Sequence, residues 1–239
     1  NKAQKFNVYD ARHNAGLLVF AVIVAFVIPE IFSQNMTERE TMSLSVGISI
    51  IMILLYLAAL FFKLVTHRGV YQHQDGFSSG HEEEEVPEWS KKKALLILLL
   101  ATVAVAYISE NLVHTFQIVG DYFGWTELFI GIIIVAIVGN AAEHASAIVF
   151  AYKNKMDIAV EIAVGSTLQI SMFVAPLLVL LSLLFPESMP LVFTLPELIV
   201  MVTSVFLIII LSNDGETNWF EGATLLAAYI IMGIGFYLL

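Results

Sequence analysis

The sequence predicts an all-α integral membrane protein with about seven transmembrane helices. Apolar residues fill 59% of its 239 positions and charged residues only 13%, more apolar surface than a soluble domain of this length can bury. That content is gathered into seven segments, each long enough to cross ~30 Å of hydrocarbon at ~1.5 Å per residue. The basic residues fall almost wholly on one side of those segments. Cysteine is absent, so there is neither a disulfide framework nor a thiolate site. The net charge of −10 sets nucleic acid aside as a partner. The first fifteen residues are polar and mixed, with no visible signal peptide, and the chain opens on Asn1 rather than Met.

The first segment, 14–33, carries Pro29 and Glu30 near its far end, and the second is 43–65. A polar linker, 66–93, follows with Gly69, Gly76, Gly80 and Pro87, and divides the chain into a two-helix part (1–65) and a five-helix part (94–239). The linker carries His73, Asp75, His81 and the run Glu82, Glu83, Glu84, Glu85, with Glu88 close behind. Such a run either senses cytosolic cations or is a solvated acidic stretch balanced by Lys91–Lys93. Its spacing fits neither an EF-hand nor a zinc site. The third segment, 94–116, holds Ser109, Glu110 and Asn111 in its outer part. The fourth and fifth, 128–152 and 157–184, form an expected hairpin around a short loop. The sixth, 191–212, contains Pro196 and Glu197, a pairing suited to a first helical turn. The seventh, 219–239, opens after Asn218 with Glu221 in its first turn.

If every segment crosses, Lys2, Lys5, Arg12, Lys63, Arg68, Lys91, Lys92, Lys93, Lys153 and Lys155 share one side and only Arg39 lies on the other. The positive-inside rule then places the start of the chain and the linker in the cytoplasm and the C-terminus outside. Trp89, Trp125 and Trp219 all fall at expected interfaces, where amphipathic rings are favoured.

No lysine or arginine lies deep in a helix, yet Glu110 and Glu143 do. A carboxylate near the bilayer centre costs roughly 2.5–3.5 kcal/mol on insertion scales, so it must be protonated, meet water or bind a cation. In an antiparallel hairpin, residues equidistant from the loop share a depth, which sets Glu143 level with Ser166 and Asn140 level with Gln169. Asn140 and Glu143 are one turn apart and face the same way, and Ser146 extends that face. A carboxylate, two amides and a hydroxyl at one depth suit a hard cation. Gly139 and Gly165 would allow close helix approach or a locally opened backbone. The bland alternative is that Asn140, Ser166 and Gln169 are interhelical glue, which leaves the glutamate unexplained. His144 points ~100° away from Glu143 and is either a proton relay or a hydrogen-bonded structural residue. Glu110 is either a second proton or ion station or a satisfied interhelical partner. Glu161, one turn inside its helix, borders a vestibule or reaches headgroups.

The run Gly139-Asn140-Ala141-Ala142-Glu143-His144, then Lys155-Met156-Asp157 and Gly165-Ser166-Thr167-Leu168-Gln169, resembles the second signature repeat of the Ca²⁺/H⁺ exchangers of the calcium/cation antiporter superfamily. The stretch Asp214–Gly222 resembles their entry to the final helix, and the acidic linker is similar to the one joining their two halves. The resemblance covers nearly the whole chain. It implies an eleven-helix inverted-repeat transporter of which this chain carries the equivalents of helices five to eleven. The matching first-repeat Gly-Asn-x-x-Glu is not in this sequence, and Glu161 stands where the family more often has a small residue.

The resemblance further implies that Glu143 binds Ca²⁺ or protons alternately, with Asn140, Ser166 and Gln169 supplying or supporting oxygens. The expected activity is alternating-access exchange that exports Ca²⁺, with Na⁺-coupled exchange the nearer rival. No cofactor is expected; Ca²⁺ and H⁺ are substrates. The expected partners are those ions and the lipid bilayer, with a homo-oligomer left open. A cell membrane is the expected location, a vacuolar membrane the alternative. A channel would need a filter-like loop, and none is evident. An enzyme is not expected, because Ser166 and His144 sit in no recognisable nucleophile motif.

Overall fold

Inside hydrocarbon, backbone N–H and C=O groups must pair within their own segment, and apolar segments without breaks accordingly become helices. The computed structural model describes residues 3–66 and 89–239. Helix α1 runs through Val8–Val19, a π-helical stretch Phe20–Val27 and Ile28–Ser33. Helix α2 (Glu38–Phe61) ends in a π-helical turn, Phe62–Thr66. Then come α3 (Lys91–Phe123), α4 (Glu127–Gly139), α5 (Ala141–Tyr152), α6 (Met156–Ser182), α7 (Leu195–Leu211) and α8 (Trp219–Leu238). Strand β1 (Gln4–Lys5) and strand β2 (Glu216–Thr217) form a two-residue antiparallel pair, a small addition to the all-helical expectation.

Among the described residues, α1, α2, α3, α6 and α8 are each long and apolar enough to cross a bilayer, and α4 with α5 form a sixth span if counted together. Helix α7, at 17 residues, stands at the lower limit of spanning length. Several ends differ from expectation for local reasons. Helix α2 starts at Glu38 because Thr37 and Glu40 form a capping box, and α7 starts at Leu195 because Thr194 and Glu197 form another. Helix α3 reaches Phe123, seven residues past the expected 116, and is ended by Gly124 in the left-handed conformation (φ 68°). The π-helical stretches in α1 and α6 precede Pro29 and Pro176. A proline ring clashes with the carbonyl four residues back, and a widened turn relieves that clash.

The described residues divide into two compact units, 3–66 with 140–232 and 89–139 with 233–239. In the first unit α1 is central: Leu18 and Ala21 pack with Met52 of α2, Met172 and Val179 of α6, and Leu198 of α7. Lipid is as apolar as leucine, so this core holds by close packing rather than by escape from water. At one end of the unit, the residues before α1 and in its opening turns tie several chain segments together. Gln4 Nε2 donates to Ala151 O at 3.2 Å and Asn7 N to Asp157 Oδ1. Phe6 N donates to Gly215 O at 2.9 Å, and Arg12 Nη2 to Asn213 O at 3.0 Å. Gly215 is required here, since it has φ 74° and a Cβ would overlap Val8. At the opposite end, Ser45 Oγ accepts from Leu191 N at 2.9 Å and donates to Thr41 O at 2.8 Å.

In the second unit, Ile130 packs over Gly120, where a side chain would collide. Phe123, Trp125, Phe129 and Tyr237 form a chain of ring contacts at 5.2–5.6 Å. The most apolar stretch of α3 has no buried residue within the described structure.

Candidate functional site

The site begins with a break. The expected continuous helix over 128–152 is instead interrupted at Asn140, whose backbone (φ −97°, ψ 17°) is not helical. Glu143 therefore does not lie deep inside one continuous helix. It sits in the first turn of α5, where the positive end of the helix dipole favours a carboxylate by about 0.3–1 kcal/mol. Asn140 O accepts from His144 N at 2.9 Å and starts the new helix, while the Asn140 side chain makes no capping bond.

Helices α5 and α6 pack as the hairpin expected, turning through Asn154 in the left-handed region (φ 61°). Between them lies an open hollow of about 200 Å³ lined by Asn140, Glu143, His144, Ser166 and Thr167, with Ala147, Ile162, Ala163 and Ile170 as its apolar wall. Ser166 Oγ donates to Ala163 O at 3.2 Å and Thr167 Oγ1 to the same carbonyl at 2.9 Å. Both hydroxyl protons are thus committed within α6, and what these oxygens retain is acceptor capacity. One carboxylate, one amide and two hydroxyls make an oxygen-donor set of the kind a hard cation takes. Among the described residues no group of three or more acids or histidines converges on a metal-sized site. Glu143 alone would leave a divalent cation one charge short.

The structure brings Asn140, Glu143, His144 and Ser166 together. His144 lines the hollow despite its offset from Glu143 on the helix. Gln169 is exposed and absent from the lining, and Ser146 is exposed as well. Gly165 borders a different hollow, on the other side of α6. Neither glycine marks a close approach among the described residues: a Cβ at Gly139 would meet nothing within 4 Å, and one at Gly165 only the Glu161 carboxyl at 3.8 Å. Glu110 belongs to the second unit and is exposed there, beside Asn111, whose Nδ2 donates to Tyr107 O at 2.8 Å. Glu82, Glu83, Glu84 and Glu85 lie outside the described residues. Thr167 is the addition that sequence reasoning missed as a site residue, although it stands inside the Gly-Ser-Thr run.

Residues 93–238 match the family described as sodium/calcium exchanger protein. The chain belongs to that family. It is 71% identical over 238 residues to the Ca²⁺/H⁺ antiporter ChaA of Bacillus subtilis (strain 168), covering 100% of this chain and 67% of the relative. It is 38% identical over 248 residues to a Ca²⁺/H⁺ antiporter of Aphanothece halophytica, covering 99% of this chain and 66% of that protein. The native structure of YfkE superposes with a TM-score of 0.82 at 63% identity, over 100% of this chain and 66% of YfkE. The exchanger chain thus spans about two thirds of the length of these relatives. Its fold is that of a multi-pass membrane transporter.

Proposed function

We propose that this chain forms part of a Ca²⁺/H⁺ antiporter that exports Ca²⁺ from the cytosol by alternating access. The observation that carries the reading is Glu143, an acid in the first turn of a helix that restarts inside an apolar span, lining one hollow together with Asn140, Ser166 and Thr167. A single carboxylate in such a place holds either a proton or part of a divalent cation's coordination shell, and that exclusivity couples the two ions. The relatives named as Ca²⁺/H⁺ antiporters support the pairing of substrates. The second acid that a dication needs is expected from the opposite repeat of the family's inverted-repeat architecture.

The end of the first unit that carries the residues before α1, the α5–α6 turn and the α7–α8 connection is cytoplasmic in this reading. Five of the chain's basic residues, Lys5, Arg12, Lys63, Lys153 and Lys155, belong to those segments, to the opening turns of α1 or to the neighbouring end of α2. The host bilayer is the cell membrane.

Sodium-coupled exchange is the second reading, favoured by the description of the family itself. The full-length protein in inverted membrane vesicles separates the two. An acid interior should drive ⁴⁵Ca²⁺ uptake without sodium, and a protonophore should abolish it. Uptake that follows only a sodium gradient would overturn the proton reading.

A further inference from the structure

Helix α6 has a second polar attachment, on the side away from Glu143. There Glu161 is held from two other helices at once. Its Oε1 pairs with Lys63 Nζ of α2 at 2.5 Å, and its Oε2 accepts from Asn14 Nδ2 of α1 at 2.9 Å. Asn14 is buried, while the Lys63 and Glu161 side chains are 39% and 44% exposed. The three residues border a hollow of about 90 Å³ with His13, Tyr56 and Gly165.

At ~100° per residue, Gly165 and Leu168 fall within about 40° of Glu161 around α6, whereas Ala163, Ser166 and Thr167 fall about 120–160° away. The two hollows, one holding Glu161, Gly165 and Leu168 and the other Ser166 and Thr167, follow that division. A grip on Glu161 therefore acts on the rotation of the helix that carries the hydroxyls. The apolar contacts of Leu168 and Met172 are not directional. Two hydrogen bonds from different helices are directional.

We infer that Glu161 is a positioning residue: clamped by Lys63 and Asn14, it fixes the rotation of α6 that turns Ser166 and Thr167 toward Glu143. This rests on the reading of the Glu143 hollow as the ion site. Two measurements on the full-length protein keep the claims separable. The first is the KM for Ca²⁺ in proton-driven uptake. Because the pair is half-exposed, Glu161→Gln and Lys63→Met should each raise KM about fivefold, with the maximal rate within about twofold, and the exchange Lys63→Glu/Glu161→Lys should restore it. The second needs no transport. With Ser166→Cys as the only thiol, the rate of modification by a small charged thiol reagent should shift at least about threefold in either single variant and return in the exchanged pair. Lys5→Ala, which removes the Lys5–Glu216 ion pair at 3.1 Å, should move neither readout.

Unchanged labelling and unchanged KM in both single variants would overturn the inference, as would an exchanged pair no better than the singles. A wild type that fails to transport Ca²⁺ would count against the proposed function, and the labelling experiment would still decide the role of Glu161. If the single variants do not reach the membrane, the exchanged pair alone decides: parent-like labelling supports the inference, and altered labelling in a normally expressed protein overturns it.

Discussion

Replacing Ser166 by alanine removes one oxygen from the proposed site and little else. Among the described residues the hydroxyl bonds only to Ala163 O, and that carbonyl keeps Thr167 Oγ1 at 2.9 Å together with its partner in the backbone of α6. The fold therefore loses little, within about 0.5 kcal/mol, as is usual for substitutions that leave no buried group unpaired. Binding loses more. An interaction between a neutral oxygen and a charged group is worth about 1.5–3 kcal/mol, and the open hollow lets water replace part of it, which points to the lower figure. At 1.4 kcal/mol per tenfold, KM for Ca²⁺ should rise about tenfold. Ser166→Thr keeps the oxygen and should stay within about threefold of wild type. The assay is initial-rate ⁴⁵Ca²⁺ uptake into inverted vesicles across a range of free Ca²⁺, with thermal unfolding of the purified protein measured in parallel. A Ser166→Ala protein with wild-type KM and wild-type stability would refute the assignment of this oxygen to the ion.

Two further outcomes test the frame around the site. Ser45→Ala leaves the buried Leu191 N–H without its acceptor, a loss of about 1–3 kcal/mol, whereas Ser45→Thr retains it; a lower midpoint for alanine but not threonine in detergent melting checks this. Gly215→Ala forces a side chain into φ 74° against Val8, which costs about 1–2 kcal/mol from the backbone alone. The Phe6 amide, bonded to Gly215 O, should then exchange hydrogen faster, and protection equal to wild type would show that this end is not held as described.

The apolar segments were legible in the sequence because lipid permits few alternatives to helix, and the hairpin's depth relation followed from counting residues. Facing was harder. Equal distance from the loop fixes height, but azimuth changes by ~100° per residue, so Gln169 can stand level with Asn140 and still point elsewhere. Ser166 and Thr167, three and two residues before Gln169, are the ones that line the hollow. The break at Asn140 carried only a weak signal, one glycine before an asparagine, and it changes the account of Glu143 most. An acid deep in an unbroken helix is an anomaly; the same acid in a first turn is partly stabilised by its own helix. The ends of α2 and α7 could have been placed from Thr37-x-x-Glu40 and Thr194-x-x-Glu197, both capping-box spacings. No periodicity announces a two-residue strand, and no local rule pairs Glu161 with residues 98 and 147 positions away.

The central claim is that the Glu143 carboxylate alternately carries the cation and the proton. Glu143→Gln keeps the size of the side chain but replaces the ionisable carboxylate with a neutral amide, in which one acceptor oxygen becomes an NH2 donor. Proton-driven ⁴⁵Ca²⁺ uptake should fall to the level of empty vesicles while expression and thermal stability stay near wild type. Near-wild-type uptake by a normally folded Glu143→Gln protein would contradict the account.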